Sequence, residues 1–385
     1  MAKILKLNAI SPLADEIFAG CEYGDDVKNP DGIMVRSAQM ADYAVGDNLI
    51  AVARAGAGTN NIPVADYAEK GIVVFNTPGA NANAVKELVI CELFLGGRKI
   101  TDAIDWVKTL KGEGENVSKL VEKGKGKFVG QEILGKALGV IGFGAIGILV
   151  ANAAAALGMK VIGVDPYLSA TAAVSLNPGV KLATSREEVY RNADFITVHV
   201  PLTPDTKGMF NADTIASLKD GAVIINNSRG ELVDTKAMLA AVASGKVSRY
   251  ITDFPADEMI GVENVICVPH LGASTPEAED NCAVMAGRQL VDYIENGNIK
   301  NSVNYPALTL EREGKARLCI LHKNVPDMLA KFTAAISASG LNVANMANKS
   351  RGDFAYTIID VDGNDVKKAA ADISAVANVL KVRTL

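Results

Sequence analysis

The sequence is short of the residues that metal and nucleic-acid sites require. It has three histidines and one tryptophan, and its five cysteines are scattered, without Cys-x-x-Cys or Cys/His metal spacing. We therefore expect reduced, mostly buried thiols and no metal ion. The formal net charge is only -5, and no block of five or six like charges occurs. A binding surface for nucleic acid is not expected from such a charge pattern.

Long hydrophobic runs are also missing, with one exception. The N-terminus lacks an apolar segment followed by a small-residue cleavage site, so we expect no secretory signal and a cytoplasmic location. Residues 137–159 carry no charge over a length that can span a bilayer. Alanine and glycine dominate this stretch, and a β-type run that closes on Asp165 follows it. We therefore predict a strand, a tight turn and a helix, with no membrane contact.

The composition is that of an ordered protein with more than one core. The chain has 385 residues, of which 49% are hydrophobic and 22% charged, which indicates roughly two to three globular domains. Short β-like runs alternate with helical segments in the first hundred residues, a pattern typical of a parallel α/β layer. A long helix is predicted from about residue 83 to residue 106, and a loop or broken helix over 111–130.

From residue 136 the alternation of strands and helices begins again. Helical crossovers between these strands predict one doubly wound parallel sheet. A helix over 276–296 and a polar linker follow it, and residues 316–383 then show a βαββαβ order. The six predicted strands of the doubly wound sheet are 137–141, 160–164, 195–198, 222–226, 249–253 and 265–268.

A glycine-rich turn in this region predicts a dinucleotide site. Gly142, Gly144 and Gly147 follow an apolar strand and open a helix, where they allow a sharp turn, close approach of a pyrophosphate, and tight helix–strand packing. The amides of Ala145 and Ile146 at the helix start suit phosphate binding. Asp165 ends the next strand, where a carboxylate accepts hydrogen bonds from ribose hydroxyls. A 2′-phosphate about 4 Å away would be repelled by about 4 kcal/mol, which favours NAD over NADP.

The search for a proton-transfer group is short, because only His199, His270 and His322 are available. His270 lies in a turn just after the last strand of the doubly wound sheet, where active-site residues of this fold collect. Glu258 is placed to reach its other ring nitrogen, and Arg229 follows the strand 222–226 at the same edge. His199 ends a strand, and a structural or cofactor-lining role is more in keeping with that position than catalysis.

These residues together resemble the D-isomer specific 2-hydroxyacid dehydrogenase family over essentially the whole chain. The motifs are the segments around Arg229, residues 253–258 and residues 269–272, besides the glycine turn. The resemblance implies that His270 is the general acid/base, that Glu258 supports it, and that Arg229 binds the substrate carboxylate and C2 oxygen. It also implies further cofactor contacts, from Asp253 near the nicotinamide carboxamide and from His199, Pro201, Thr206 and Gly272.

Two N-terminal segments, 35–37 and 53–61, resemble the substrate loops of the phosphoglycerate-oxidising branch of this family. The resemblance implies oxidation of D-3-phosphoglycerate to 3-phosphohydroxypyruvate, the first step of serine biosynthesis. Arg36 and Arg54, taken singly, are each equally well explained as part of an ordinary surface ion pair. Lysines also replace the usual Arg-Lys-Lys-Phe stretch of the family, at Lys123, Lys125 and Lys127. An unphosphorylated acid of the lactate, glyoxylate or 2-oxoglutarate type therefore stays open, as does a non-catalytic amino-acid sensor. The candidate substrate residues are Arg36 and Arg54 for the phosphate, Ser37 beside them, and the Ala57 and Gly58 amides for the carboxylate.

The C-terminal module resembles an ACT domain, which implies a regulatory role, a homodimer or homotetramer, and L-serine as an effector. Its candidate effector residues are His322, Asn324 and Asn342. Asp327 stands where the family has glycine at a helix start; it can cap that helix but repels a carboxylate, so a purely assembling module stays open. The predicted fold class is α/β, with a flavodoxin-like substrate domain (1–96 and 283–305), a doubly wound NAD domain (97–282), a linker (306–314) and an ACT module (315–385).

Overall fold

The computed structural model describes residues 1–385 and divides into two compact units. Unit 1 consists of residues 1–81 and 276–385, and unit 2 of residues 82–275. The sequence-based limits of the NAD domain were 97 and 282. The boundaries between the compact units lie elsewhere, after residues 81 and 275. The reason is that the helix 82–97 packs against the helix 145–156 of unit 2, whereas the helix 276–296 packs against the first sheet of unit 1.

The first sheet of unit 1 has five parallel strands in the order β2-β1-β3-β4-β5. This is the flavodoxin-like order, so that prediction is confirmed. The central strand β3 is buried along its whole length, as in a sheet covered on both faces. Strand β2 was not predicted, because its Glu-Tyr-Gly sequence has no apolar run. The elements are β1 (Lys3–Lys6), β2 (Glu22–Gly24), β3 (Gly32–Val35), β4 (Ala51–Arg54), α1 (Val64–Glu69) and β5 (Val73–Phe75).

Unit 2 contains one parallel sheet of seven strands in the order β12-β11-β10-β9-β6-β7-β8. The doubly wound sheet is confirmed, but six strands was wrong. The seventh, β8, is a two-residue exposed edge strand, too short to show a hydrophobic pattern. The strands are β6 (Ala137–Ile141), β7 (Lys160–Val164), β8 (Lys181–Leu182), β9 (Phe195–Val198), β10 (Ala222–Asn226), β11 (Val247–Thr252) and β12 (Val265–Cys267).

The helices of unit 2 differ from prediction near its start. The single helix predicted over 83–106 is wrong: α2 and α3 are separated after Gly97, where an added Cβ would lie 3.0 Å from the Gln131 carbonyl oxygen. Over 111–130 the broken-helix alternative is right, since α4 stands between two short 3-10 turns. The helices are α2 (Ala82–Gly97), α3 (Ile100–Lys108), α4 (Val117–Gly124), α5 (Ala145–Ala156), α6 (Ala170–Val174), α7 (Arg186–Asn192), α8 (Ala212–Ala216) and α9 (Thr235–Ser244).

The uncharged residues 137–159 form strand β6, a turn and helix α5, as predicted. Val150, Ala151 and Ala154 of α5 are buried in a hydrophobic core with Leu138 and Val140 of β6. The apolar character of this stretch is thus explained by packing inside unit 2. Among all the helices, none combines the length and the apolar composition that crossing a membrane requires.

The C-terminal part of unit 1 has the predicted βαββαβ order. A long helix leads to a four-stranded antiparallel sheet with the strand order β14-β15-β13-β16. Two helices pack on this sheet around Phe332 and Ile336. The elements are α10 (Pro276–Asn296), β13 (Ala316–Lys323), α11 (Met328–Ala338), β14 (Val343–Arg351), β15 (Phe354–Val361), α12 (Lys367–Ser374) and β16 (Val379–Thr384).

A buried ion pair fastens this module to the end of α10. Arg317 Nε lies 2.7 Å from Asp360 Oδ1, and both side chains are fully buried. The Arg317 guanidinium also donates to the carbonyls of Asn296 and Glu311, and the Glu313 amide donates to Asp360 Oδ2. The segment predicted as a linker is therefore held against the module by hydrogen bonds between its backbone and the two side chains of the ion pair.

The five cysteines are all free thiols. Cys282 and Cys319 are buried, whereas Cys91 is exposed and the other two are partly buried. The expectation of mostly buried thiols is therefore correct for two of them only.

Candidate active site

The glycine turn after β6 has the shape of a phosphate cradle. Gly142 has φ +96°, and an added Cβ would lie 2.5 Å from the His199 carbonyl oxygen. At Gly147 the Cβ would lie 2.0 Å from the Gly142 carbonyl oxygen, so the first turn of α5 can pack only with glycine there. The space beside Gly144, by contrast, is open within 4 Å, and no side chain caps the start of α5. The exposed amides at this helix start therefore fit a dinucleotide phosphate.

Asp165 follows the next strand and is already engaged with the turn. Its Oδ2 accepts a hydrogen bond from the Phe143 amide at 2.8 Å, and its Oδ1 accepts one from the Tyr167 amide at 2.8 Å. Each carboxylate oxygen has a second lone pair, so the same group can still accept a ribose hydroxyl. The two amides fix the direction in which the carboxylate points. Its place beside the glycine turn is what binding of the adenosine ribose of NAD requires.

The loop after β9 holds three more of the predicted cofactor residues. His199 Nε2 lies 3.0 Å from Thr197 Oγ1, and burial lowers the pKa of His199 to about 4, so its ring is neutral at physiological pH. The Thr206 hydroxyl donates to the Pro201 carbonyl at 2.7 Å and accepts from the Thr203 amide. Thr206 thus shapes the loop with its own hydroxyl, while Pro201 is exposed.

Arg229, Asp253 and His270 lie just beyond the carboxyl ends of β10, β11 and β12, respectively. His270 Nδ1 lies 3.5 Å from Asp253 Oδ2, and the imidazole packs edge-on against the Phe254 ring with centroids 4.9 Å apart. The Asp253 side chain is 2% exposed and that of His270 is 61% exposed. Burial raises the pKa of Asp253, and the neighbouring His270 and Arg229 act in the opposite direction. A buried carboxylate behind an exposed imidazole is an arrangement suited to proton transfer.

The predicted partnership of Glu258 with His270 is not present in this structure. Glu258 is exposed on a short 3-10 turn, and the carboxylate within ion-pair distance of the imidazole is that of Asp253. Distance along the chain does not reveal which way a turn residue points, whereas Asp253 directly follows β11 at the edge where His270 lies. The supporting role of Glu258 therefore stays a prediction without a contact. In this structure Asp253 stands beside His270, in the position predicted for Glu258.

Arg229 is exposed at the end of β10, as predicted. Its Nη1 donates to the Ser228 carbonyl at 2.6 Å, and its own carbonyl accepts from Asn226 Nδ2 at 2.8 Å. The backbone is thus held while the guanidinium faces solvent. Gly272, beyond His270, is buried, and an added Cβ there would lie 3.3 Å from Val85 and 3.9 Å from Asp253 Oδ2.

Sequence reasoning missed the buried Glu92 and its half-buried partner Asn227 next to this group. Glu92 on α2 is fully buried, and its Oε2 accepts a hydrogen bond from Asn227 Nδ2 at 2.5 Å. Burial raises the pKa of Glu92, the hydrogen bond from Asn227 lowers it and the charge of Asp253 raises it, and the resulting pKa is about 8. The available signal was one acid among the apolar residues 88–95 of a helix.

The candidate substrate residues lie together in unit 1. Arg54 Nε donates to the Arg36 carbonyl at 3.1 Å, and burial lowers the pKa of Arg54. The Arg36 guanidinium is paired with Glu279, and both side chains are 40% exposed. Ser37 is exposed, and its hydroxyl accepts from Asn8 Nδ2 at 3.2 Å. Phosphate at Arg36 would therefore compete with an internal carboxylate.

The amides predicted for carboxylate binding follow Arg54. Ala57 is exposed and Gly58 partly buried, and the Ala57 carbonyl accepts a hydrogen bond from Asn76 Nδ2 at 2.6 Å. The loop is therefore fixed on its carbonyl side.

Lys123, Lys125 and Lys127 are exposed in unit 2, and Lys125 is paired with Glu122.

The three candidate effector residues are not brought together within one chain. His322 pairs in register with Ala355 at one end of β15, whereas Asn342 precedes Val343, which pairs with Val361 at the other end. Six strand steps of about 3.3 Å separate these ends by about 20 Å. His322 is also saturated, since its Nδ1 lies 2.8 Å from the Lys323 carbonyl and its Nε2 lies 2.9 Å from Thr357 Oγ1. Both ring nitrogens are therefore engaged within the chain, and a direct effector contact by His322 stays a prediction.

Asn324 and Asn342 are exposed, and each already makes one hydrogen bond. Asn324 Nδ2 donates to the Gly352 carbonyl at 3.0 Å, and Asn342 Nδ2 donates to Asp362 Oδ2 at 2.9 Å. Asp327 stands at the start of α11 with φ +71°, but its side chain makes no capping hydrogen bond. It pairs with Lys331 instead, at 3.4 Å, so the predicted cap is wrong. The left-handed backbone explains why glycine suits this position.

Comparisons with known proteins agree with this geometry. The model for the NAD binding domain of D-isomer specific 2-hydroxyacid dehydrogenases matches residues 97–272. A D-3-phosphoglycerate dehydrogenase of Haemophilus influenzae is 32% identical over 389 residues, which cover 95% of this chain and 89% of that protein. That of Methanocaldococcus jannaschii is 34% identical over 327 residues, covering 83% of this chain and 59% of the relative. The chain thus spans less than two thirds of the length of the latter.

Solved structures show the same fold. An NAD+-bound 3-phosphoglycerate dehydrogenase of Entamoeba histolytica matches with a TM-score of 0.60 and 26% identity, over 80% of this chain and 99% of that chain. The holo form of Rhodotorula graminis D-mandelate dehydrogenase matches with a TM-score of 0.68 over 80% of this chain and 99% of that one, and its 20% identity supports the fold alone. The chain belongs to the D-isomer specific 2-hydroxyacid dehydrogenase family, and residues 97–272 are the NAD-binding domain of that family.

Proposed function

We propose that this protein catalyses the NAD-dependent oxidation of D-3-phosphoglycerate to 3-phosphohydroxypyruvate. The observation that carries the chemistry is the grouping of exposed His270, buried Asp253 and exposed Arg229 at one edge of the sheet that holds the glycine turn. The choice of substrate rests on the relatives, since the Haemophilus influenzae protein that matches 95% of this chain is named D-3-phosphoglycerate dehydrogenase.

In the proposed mechanism His270 accepts the proton of the C2 hydroxyl as the C2 hydride leaves. NAD bound at the glycine turn supplies the hydride acceptor. Asp253, 3.5 Å from His270 Nδ1, stabilises the imidazolium that forms and orients the ring. The exposed Arg229 fork holds the substrate carboxylate and polarises the C2 oxygen, which lowers the energy of the developing carbonyl.

We assign recognition of the substrate phosphate to Arg36 and Arg54, and recognition of its carboxylate also to the amides of Ala57 and Gly58. A planar guanidinium donates two parallel hydrogen bonds to a phosphate, which a lysine does not. Arg36 is neutralised by Glu279 in this structure, so phosphate binding requires exchange of that partner. The rival substrates, unphosphorylated 2-hydroxy acids, need neither arginine.

The assay is the oxidation of NADH with phosphohydroxypyruvate, compared with pyruvate, glyoxylate and 2-oxoglutarate. We expect the phosphorylated acid to give the highest kcat/KM, and equal or higher values with an unphosphorylated acid refute the substrate assignment. His270→Ala should lower kcat by about 10²–10⁴, the range for loss of a general acid/base. NADH binding, measured by fluorescence, is the control and should be unchanged. Absence of turnover with all four acids supports the amino-acid sensor instead.

We also propose that residues 315–385 form an ACT-type regulatory domain of a cytoplasmic homodimer or homotetramer. The βαββαβ order supports the first part. Because Asn324 and Asn342 belong to opposite ends of the sheet, an amino-acid effector such as L-serine would contact them through two copies. Sedimentation with and without serine tests assembly and effector binding, and cell fractionation tests location. A monomer whose sedimentation does not change with serine refutes the proposal.

A further inference from the structure

Helix α2 carries one carboxyl group that lies entirely inside unit 2. Glu92 is 0% exposed, and Val89 and Leu93 beside it belong to a hydrophobic core. No cation is among the groups that act on the Glu92 carboxyl. An ionised carboxylate without a counterion is strongly disfavoured in such surroundings, so the neutral acid is the form that burial selects.

Three buried oxygen atoms near this carboxyl lack hydrogen-bond donors. They are Glu92 Oε1, Asn227 Oδ1 and Asp253 Oδ1, on a helix and at the ends of two strands. Asn227 Nδ2 supplies one hydrogen bond to Glu92 Oε2, and the three side chains together still have more acceptors than donors. A proton on Glu92 adds a donor to this set and removes a charge from it, whereas ionisation leaves acceptors only.

The charged groups around Glu92 come from several elements. Helix α2 packs on α5, β10 and β11, and neither α5 nor β10 contains a titratable residue. Strand β11 contributes Arg249, whose guanidinium bonds the Leu95 carbonyl and Asp102. It also contributes Tyr250, which is buried, and it leads into Asp253. On α2 itself, Lys86 and Glu87 pair with each other.

Asp253 is thus the charged group that acts directly on Glu92, and it is also the carboxylate paired with His270. Two buried acids of one cluster cannot readily ionise together, because each charge raises the cost of the other. If Glu92 holds a proton, Asp253 can carry the negative charge that an imidazolium at His270 needs.

We propose that Glu92 is a positioning residue that stays protonated through the reaction, holds Asn227 at the end of β10, and reserves the negative charge of the cluster for Asp253. This rests on the proposed function, since it concerns the same His270. Burial raises the pKa of Glu92 to about 8, and loss of its proton above that pH adds a second negative charge to the cluster. That charge favours the protonated imidazole, which cannot accept the substrate proton.

The first test reads His270 directly and needs no substrate. The chain has three histidines, and His199 and His322 make internal hydrogen bonds, so the titration of the exposed His270 by NMR is readily recognised. In the wild-type protein the His270 signal should show a second inflection near pH 8. Glu92→Gln, which is neutral and similar in size, should remove that inflection and leave the His270 pKa unchanged.

The control variants define the two possible states of Glu92. Asp253→Asn removes a negative charge from the pair with His270 and should move the His270 titration to lower pH. Glu87→Gln makes the same substitution at an exposed site of α2 and should have no effect. If Glu92 is ionised at neutral pH, Glu92→Gln will also lower the His270 pKa, and the wild-type signal will show no inflection near pH 8. Either result overturns the proposal. The second result is measured on the wild-type protein, so it does not depend on whether a variant folds.

The second test is the pH profile of kcat for phosphoglycerate oxidation. One pH unit above its pKa, about nine tenths of Glu92 is ionised, so the pH profile of wild-type kcat should show an inflection near pH 8, where the second negative charge forms. Glu92→Gln should lack this inflection, and Glu87→Gln should match the wild type. Identical profiles for Glu92→Gln and wild type overturn the proposal. If no oxidation occurs at all, the proposed function fails while the NMR test of Glu92 still stands.

Discussion

The most informative perturbation of stability is at the buried Arg317–Asp360 pair. Two hydrogen bonds join the side chains, Nε to Oδ1 at 2.7 Å and Nη2 to Oδ2 at 2.8 Å, and neither residue is exposed. Arg317 also donates to the Asn296 carbonyl at 2.7 Å. Asp360→Asn keeps the size of the side chain but leaves the guanidinium without a counterion in an environment where it cannot be hydrated.

Removal of one partner from a buried ion pair destabilises proteins by about 3–5 kcal/mol. Each 1.36 kcal/mol is a factor of ten, so hydrogen exchange in β13 should become about a hundred to several thousand times faster. The double variant Arg317→Met/Asp360→Leu removes both charges and should lose less stability than the sum of the two single variants. Some loss should remain, because the Asn296 and Glu311 carbonyls lose their donor.

Hydrogen exchange measured by mass spectrometry on the full chain follows β13 separately from the rest. The fluorescence of Trp106, the one tryptophan of the chain, reports on unit 2 and should be unchanged. Glu22→Gln is the matched control, because it breaks a pair with Lys3 whose side chains are about half exposed. Such a pair contributes no more than about 1 kcal/mol. A change of that small size for Asp360→Asn, or additive effects in the double variant, would refute the reasoning.

Three further outcomes are expected. Asp327→Gly should stabilise the C-terminal module by about 1 kcal/mol in the same exchange measurement, because φ is +71° there; a loss of stability would contradict this. Gly147→Ala should prevent folding around the turn, since its Cβ would lie 2.0 Å from a carbonyl oxygen, whereas Gly144→Val should fold normally and bind NADH more weakly in a fluorescence titration. Burial lowers the pKa of His199 from 6.5 to about 4, so the unfolded chain takes up a proton in this range that the folded chain does not. Denaturant midpoints of unit 2 should therefore fall as the pH drops from 6.5 to 4, and a smaller decline is expected for His199→Gln; equal slopes would exclude His199 as the cause.

Much of the fold follows from short-range patterns that the sequence carries openly. Strands of unit 2 such as 137–141 and 222–226 were predicted to the residue, because apolar runs closed by turn residues are local signals. The glycine turn is equally local, since Gly142 has φ +96° and a Cβ at Gly147 would lie 2.0 Å from the carbonyl oxygen of Gly142, five residues earlier. Elements without such a signal were missed, as with β2 and the two-residue β8.

The site was predicted less completely, because its contacts join distant segments. Glu258 was expected beside His270 from its position in the chain and from the family resemblance, but the contact is made by Asp253, which directly follows β11. Glu92 and Asn227 are 135 positions apart, and no local pattern relates them. His322 has the polarity of a ligand residue, and only the register of β13 with β15 shows that Thr357 occupies its ring nitrogen.

Sequence patterns were thus sufficient to predict the class of each sheet, the glycine turn with Asp165, and Arg229, Asp253 and His270 as site residues. These depend on hydrophobic period, backbone freedom and residue type, which are properties of neighbouring positions. The folded structure was needed to show which carboxylate faces His270, that Glu92 is buried near Asp253, and that Arg317 and Asp360 hold the C-terminal module. Such pairings depend on burial and direction, which are set when segments far apart in the chain pack together.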